Sequence, residues 1–419
     1  MTYGSSGDLQ RYAEVIVKVG LNLQPGQRLL IGAPIVYIGS VPLELAPLVR
    51  AIVAEAYRVG SPLVEVIWED PQLQAVRLEH APAGSFEEVG DWRYRAGLEF
   101  VERGGAILSI YGEDPGLLAG HDPGNVATLK GQANKSTSPL WQLLSQGAVN
   151  WSAIVAPVSG WTETLFPDLP ATEARDVFWD TIFEICRAKE ADPVAAWQQH
   201  LSQLAVRAET LNRRRYQALK VTGPGTDLTV GLIEGHLWHS GGLKSQAGIS
   251  FTANIPTEEV FTLPHRDRVD GVVTSTKPLV VDGVTVERFS LTFKGGRVVA
   301  SEATNGASAL QNLLDTDEGA RSLGEIALVP HSSPISQSGK VFYNILIDEN
   351  AANHLALGQG YRFNVEGGAA MSAEEFAAAG GNSSLIHVDF MIGSGQMNVD
   401  GIGEDGVTEP LMRDGEWAF

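Results

Sequence analysis

Two histidines and a scatter of carboxylates carry the chemistry that can be read in this chain. His354 closely follows Asp348 and Glu349 in Y-N-I-L-I-D-E-N-A-A-N-H-L-A-L-G-Q-G-Y, and His387 stands two residues before Asp389 in N-S-S-L-I-H-V-D-F-M-I-G. In a strand, residues i and i+2 point to one face, so His387 and Asp389 can grip one cation. Imidazole nitrogen with carboxylate oxygen suits zinc, cobalt or manganese. The same pair also fits a hydrogen-bonded histidine–carboxylate couple on a half-buried strand. Upstream, Glu258 and Glu259 lie inside the apolar run N-I-P-T-E-E-V-F-T, and Glu325 opens L-G-E-I-A-L-V. Adjacent carboxylates in a regular strand face opposite sides, so one can be a ligand while the other works elsewhere. A carboxylate buried in such surroundings is costly unless a cation accompanies it; at a strand end in water it needs none.

Taken together, Glu259, Glu325, His354, His387 and Asp389 form a set of two imidazoles and three carboxylates. That is enough for two divalent ions sharing a bridging carboxylate, an arrangement used to activate water. Asp348 and Glu349 are read as capping residues, with Asn350 as N-cap of a short helix over 351–357 that Gly358 or Gly360 ends. In G-H-L-W-H-S-G-G, Trp238, His236 and His239 could line the pocket, but the histidines are read first as structural-loop residues. The chain contains neither H-E-x-x-H nor G-x-S-x-G, which excludes a helix-borne single-zinc protease site and a serine nucleophile elbow.

The elements that must position these residues divide the chain in two. Short apolar runs over 28–33, 63–68, 106–111 and 152–158 alternate with helical patterns, one of them over 44–57. That texture predicts βαβ units and a parallel sheet. No G-x-G-x-x-G opens a helix there, so a nucleotide site lacks its phosphate cradle. A strongly helical stretch over 176–215, broken near Asp192-Pro193, looks like a connector. Beyond it, β-branched runs separated by Gly223-Pro224-Gly225, Asp282-Gly283 and Gly295-Gly296 predict antiparallel hairpins. The expected fold class is therefore mixed. An α/β domain with a parallel sheet and the helical connector spans 1–215, and a β-rich α+β domain carrying the metal site spans 216–419.

Composition narrows the function. Fifty acidic against 30 basic residues give a net charge of −20, the opposite of a footprint for nucleic-acid phosphates. Hydrophobic content of 44% is that of a globular protein. No run nears the ~20 apolar residues of a membrane span, and the N-terminal residues lack the charged and apolar regions of a signal peptide. A cytoplasmic, membrane-free protein is expected. Cys186 is the only cysteine, so neither an intrachain disulfide nor a thiolate zinc site can form. Set at helical spacing among Phe178, Ile182 and Ile185, it reads as a buried small hydrophobe.

The four motifs N-I-P-T-E-E-V-F-T, L-G-E-I-A-L-V, D-E-N-A-A-N-H-L-A-L-G-Q-G-Y and N-S-S-L-I-H-V-D-F-M-I-G, in this order, resemble the aminopeptidase T family of metallo-aminopeptidases. The resemblance runs from Y-A-E-V-I-V-K-V-G to the closing D-G-V-T-E-P-L-M-R-D-G-E-W. It implies an exopeptidase acting on peptides with a free N-terminus, with two divalent ions per subunit. Zinc or cobalt leads, with magnesium or manganese as alternatives. By matching motif positions it implies the metal ligands Glu259, Glu325, His354, His387 and Asp389, and the catalytic tyrosine Tyr361. It further implies a homodimer that encloses the active site in a large internal cavity. For the proton shuttle the candidate from this sequence is Glu258, beside a ligand.

Overall fold

The computed structural model of the protein describes residues 6–35, 39–82, 84–281 and 284–419. The chain divides into two compact units, Met1–His200 with Gly242–Pro256 and Leu201–Gly241 with Thr257–Phe419.

The first unit is the expected α/β body. Its strands lie in the order Asn254–Ile255, Trp151–Val155, Ala106–Tyr111, Leu29–Ile31, Val64–Val66, and every pairing is parallel. The three central strands are buried almost throughout, which is why they read as unbroken apolar runs. Helices Ala46–Arg58, Trp92–Glu102 and Pro123–Ser145 supply crossovers between them. Cys186 is fully buried, as its neighbours predicted. The edge strand is a finding: Asn254–Ile255 arrives from beyond residue 215 and pairs with Ala153 and Ile154. Ser152 reinforces this join by donating to the Thr252 carbonyl at 2.9 Å.

The second unit is β-rich. Among the described residues, one antiparallel sheet of eight strands runs from Arg297–Glu302 at one edge to Glu416–Trp417 at the other. The Gly295-Gly296 hairpin joins Ser290–Lys294 to Arg297–Glu302, and Gly223–Gly225 turns Ala218–Gly223 into Thr226–Leu232, both as expected. The Asp282-Gly283 turn lies outside the described residues.

A second sheet in this unit carries the chemistry. Its five strands follow one another as His387–Met391, His354–Gly358, Leu323–Leu328, Val260–Thr262 and His239–Ser240, all antiparallel. The structure corrects the helix expected over 351–357. His354–Gly358 is a central strand paired on both sides, and only Ile345–Asp348 and Glu349–Ala351 are helical turns. Ala and Leu favour a helix only weakly. Burial of Leu355 and Leu357 on one face of a sheet, with both neighbours' hydrogen bonds satisfied, overrides that preference.

Strand alternation sorts this sheet into two faces. Val260, Ile326, Leu328, Leu355, Leu357 and Phe390 belong to the main apolar core of the unit. The intervening positions point the other way. Gly358 closes its strand opposite His387 with φ at 101°, and an added Cβ would stand 2.2 Å from the Ile386 carbonyl oxygen. We predict that Gly358→Ala destabilises the protein by about 1–3 kcal/mol from backbone strain alone. Thermal unfolding would report this as a fall in Tm of about 2–4 °C per kcal/mol. An unchanged Tm would mean that the His387 strand yields freely there.

Candidate metal centre

Cross-strand register builds the site. Phe261 stands opposite Ala327, Ala327 opposite His354, and His354 opposite Met391. One step along, Glu325 and Asp389 flank Ala356, and His387 faces Gly358. All these residues share the face turned away from the apolar core. Glu259 precedes its strand by one residue and lies two before Phe261. The small side chains of Ala327 and Ala356 leave the space between the polar groups unfilled.

The polar groups meet there. His354 Nε2 lies 3.1 Å from Glu259 Oε2 and 3.6 Å from Glu325 Oε1. The other Glu325 oxygen, Oε2, is 3.8 Å from His387 Nε2, which is 3.5 Å from Asp389 Oδ1. Glu325 thus serves two groups, a tight one with Glu259 and His354 and a looser one with His387 and Asp389. Ligating atoms of Glu259, Glu325 and His354 all lie within 4.8 Å of one another.

These residues fit a divalent-cation centre on two observations. First, each imidazole is oriented from behind. His354 Nδ1 is 3.2 Å from the Ala352 carbonyl, and His387 Nδ1 is 2.7 Å from that of Gln359. A carbonyl only accepts, so Nδ1 carries the hydrogen, and in the neutral ring Nε2 points a lone pair at carboxylates. Lone pairs facing anions require a cation between them. Second, the buried atoms Glu259 Oε2 and Asp389 Oδ1 receive no well-formed hydrogen bond, a loss that a bound ion would make good.

The protonation balance points the same way. Burial pushes Glu325 up to about 7 against the pull of His354 and His387. Burial would lower both histidines, but carboxylates outweigh it: Asp389 and Glu325 lift His387 to about 9, and Glu259 and Glu325 raise His354 well above its ordinary value. Without metal, protons take the place of cations.

Each residue singled out in the sequence has a definite place here. Glu259, Glu325, His354, His387 and Asp389 come together. Tyr361 follows the His354 strand, and its ring lies 4.7 Å from that of His387. Burial and then the Glu325 and Asp389 charges raise its hydroxyl well above the usual tyrosine range. Glu258 is placed differently. It is buried, its N–H donates to Asn350 Oδ1 at 2.7 Å, and its charge acts on Arg207, a guanidinium also seated over the Trp417 ring. The strongest influences on His354, Glu325 and Asp389 come from burial and from other members of the cluster.

Glu349, read from the sequence as a capping residue, also lies under the influence of the site's charges. Burial, followed by the charges of Glu259 and Asp389, holds its carboxyl well above the ordinary range, and His354 and Glu325 also act on it. Asn350 Nδ2 steadies it at 3.3 Å. Its neighbour Asp348 does have the local role expected, accepting from the N–H groups of Phe342 and Asn344 at 2.9 and 3.1 Å. The usable signal was that a single carboxylate suffices to hold that turn, which left Glu349 free for the site.

The whole chain has known relatives. The family described as thermophilic metalloprotease (M29) matches residues 5–417. Aminopeptidase 2 of Geobacillus stearothermophilus is 47% identical over 412 residues, covering 98% of each chain. Aminopeptidase T of Thermus thermophilus is 43% identical over 410 residues, again covering 98% of each. The solved structure of wild-type AmpT from Thermus thermophilus superposes with a TM-score of 0.92 at 42% identity, covering 98% of this chain and 99% of that one.

The raised histidines make a testable statement about ion binding. An ion must displace the proton that His387 holds up to about pH 9, so affinity should climb as pH rises from 6.5 towards 9. The expected slope is about tenfold per pH unit for each proton displaced. Competition with a chromophoric chelator across that range measures it, and a flat profile would show that no histidine proton is displaced on binding there.

Proposed function

The chain belongs to the M29 family of thermophilic metalloproteases, and on that premise we propose that it is an aminopeptidase with two divalent ions per subunit, hydrolysing the first peptide bond of peptides. The observation that carries the two-ion reading is the Glu325 carboxylate, with one oxygen toward His354 and the other toward His387. Glu259, Glu325 and His354 would hold one ion, and Glu325, His387 and Asp389 the other. When bound, zinc or cobalt, or alternatively magnesium or manganese, would supply an acidified water and a Lewis acid for the scissile carbonyl.

The chain's own residues do the rest. A free α-amine would have a lone pair to offer a bound ion, which an acylated end lacks, so peptides with a free N-terminus are favoured. The Glu349 carboxylate, in place of Glu258, takes a proton from the attacking water and returns it to the leaving amine. Its setting among four other ionisable site residues supports this role, whereas Glu258 lies under the influence of Arg207. The Tyr361 hydroxyl keeps its proton and donates a hydrogen bond to the oxyanion as the carbonyl becomes tetrahedral. The proposal includes the homodimer that the family resemblance implies. No helix among the described residues is long and apolar enough to cross a membrane.

Two measurements test this reading. Glu349→Gln should lower kcat by about 10²–10⁴ with metal content unchanged. Glu258→Gln should act mainly on Tm, since it removes a buried charge that acts on Arg207. The reverse pattern would return the proton to Glu258. Separately, N-acetylation of a good peptide substrate should nearly abolish its cleavage. Efficient turnover of the acetylated peptide would favour a two-metal hydrolase of other amides or esters, which has no use for a free amine.

A further inference from the structure

Four of the five candidate ligands stand on paired strands, and the fifth does not. Glu325, His354, His387 and Asp389 lie within Leu323–Leu328, His354–Gly358 and His387–Met391, where register with neighbouring strands fixes them. Glu259 comes just before Val260–Thr262, in a stretch outside the ladder. Its placement needs some other tie.

Asn350 supplies one. This residue is fully buried and lies within the turn Glu349–Ala351, and its side chain reaches across to the Glu259 segment. Its Oδ1 accepts from the Glu258 N–H at 2.7 Å. Glu258 directly precedes Glu259, so the bond fastens the backbone that carries the ligand. At the other end of the amide, Nδ2 donates to the Leu346 carbonyl at 3.0 Å and to Glu349 Oε1 at 3.3 Å. The Asn350 carbonyl accepts from Ser333 Oγ at 3.1 Å, which holds the turn itself.

The amide cannot be reversed without loss. Its oxygen faces an N–H, and its nitrogen faces a carbonyl oxygen and a carboxyl oxygen. Turning it round would set oxygen against oxygen and N–H against N–H, in a buried position where a lost partner is costly. One side chain with a single workable orientation therefore holds two groups that the proposed reaction needs, a ligand of the tighter metal group and the proton carrier. Partners of this kind, one step removed from a metal, orient its ligands and tune the chemistry there.

We infer that Asn350 is a positioning residue for the metal centre: its carboxamide oxygen sets where Glu259 stands, and its nitrogen directs the Glu349 carboxyl. The inference rests on the aminopeptidase reading and adds to it a residue that acts on the reaction only through others.

The test starts from Asn350→Ala, which removes both ends of the amide. Affinity for zinc, read by competition with a chromophoric chelator, should fall by about 10–100-fold. In the metal-saturated enzyme, kcat for leucine p-nitroanilide should fall by about tenfold or more, with KM changed little. In a Glu349→Gln background the same substitution should cost kcat at least about threefold less than in the native enzyme, because the carboxyl it directs is already gone. A merely structural role would lower Tm alone. Native zinc affinity in Asn350→Ala would overturn the inference, and so would kcat losses that simply multiply in the double variant. Should Asn350→Ala fail to fold, Asn350→Asp, of nearly the same size, takes its place. It keeps an oxygen for the Glu258 N–H and sets a carboxylate against Glu349. Zinc affinity should then stay within about threefold of native while kcat drops by about tenfold or more; an Asn350→Asp enzyme with native kcat would overturn the inference. Failure of the parent reading looks different: the native enzyme then releases no p-nitroaniline, and zinc affinity in the Asn350 variants still tests the placement of Glu259.

Discussion

Glu325 is buried with its two oxygens turned to two different imidazoles, and much of the second unit follows from what that arrangement demands. Glu259, Glu349 and Asp389 add their charges close by. Two like charges 4 Å apart repel by about 4 kcal/mol at an effective dielectric near 20. No protein holds such a cluster because the cluster is stable. It holds it because something else fixes the backbone and because cations neutralise the charge. The fixing is done from the reverse side of the same sheet, where Ile326, Leu328, Leu355, Leu357 and Phe390 are locked into the core. A strand cannot slip by one residue to relieve the repulsion, since that slip would turn every one of those apolar side chains out of the core.

The same logic explains which parts of the site were legible beforehand. His387 and Asp389 announced themselves because the two-residue spacing of ligands coincides with the period of a strand. Glu259 and Glu325 were visible as lone charges in apolar runs, where a carboxylate needs a reason to be present. His354 stood out as a histidine among apolar residues and was counted with the candidate ligands, but its element was misread. H-L-A-L-G has one polar residue, so alternation was hidden, and helix-favouring Ala and Leu filled the gap. Pairing with partners dozens of residues away decides such a segment, and a local pattern carries no trace of that. Glu349 was overlooked for a related reason. It adjoins Asp348, whose backbone hydrogen bonds are a purely local affair, and only the folded arrangement separates their roles. The parallel sheet of the first unit was readable from its buried runs. Its edge strand at Asn254–Ile255 was not, being too short to show a period and too distant to suggest its partner.

Tertiary context also separates two neighbouring acids, Glu258 and Glu259. Adjacent in sequence, they have opposite fates. Glu259 reaches His354, and Glu258 is drawn toward Arg207, whose guanidinium lies over Trp417. Alternation predicted that they would part. It did not predict which would have a cation of the protein's own. The Glu258 charge acts on an arginine outside the ligand set. In a carboxyl set among other carboxylates the charged form is disfavoured, and Glu349 is in that position.

The ligand face has two kinds of surface, and the division makes chemical sense. Every peptide substrate presents the same ammonium and the same scissile amide, so the groups that handle them must be charged and invariant in geometry. The side chain beside that amide differs between substrates. A surface that accepts it must discriminate by size and polarity without disturbing the charge balance next door. Uncharged rings stand on the same face. They add no net charge to a centre already crowded with carboxylates, and one of them, Phe363, stacks on Tyr361. Ala327 and Ala356 complete the arrangement by taking up as little room as a side chain can. Any larger residue at either position would stand between strands where the ligands and the rings meet, competing with both for the same space.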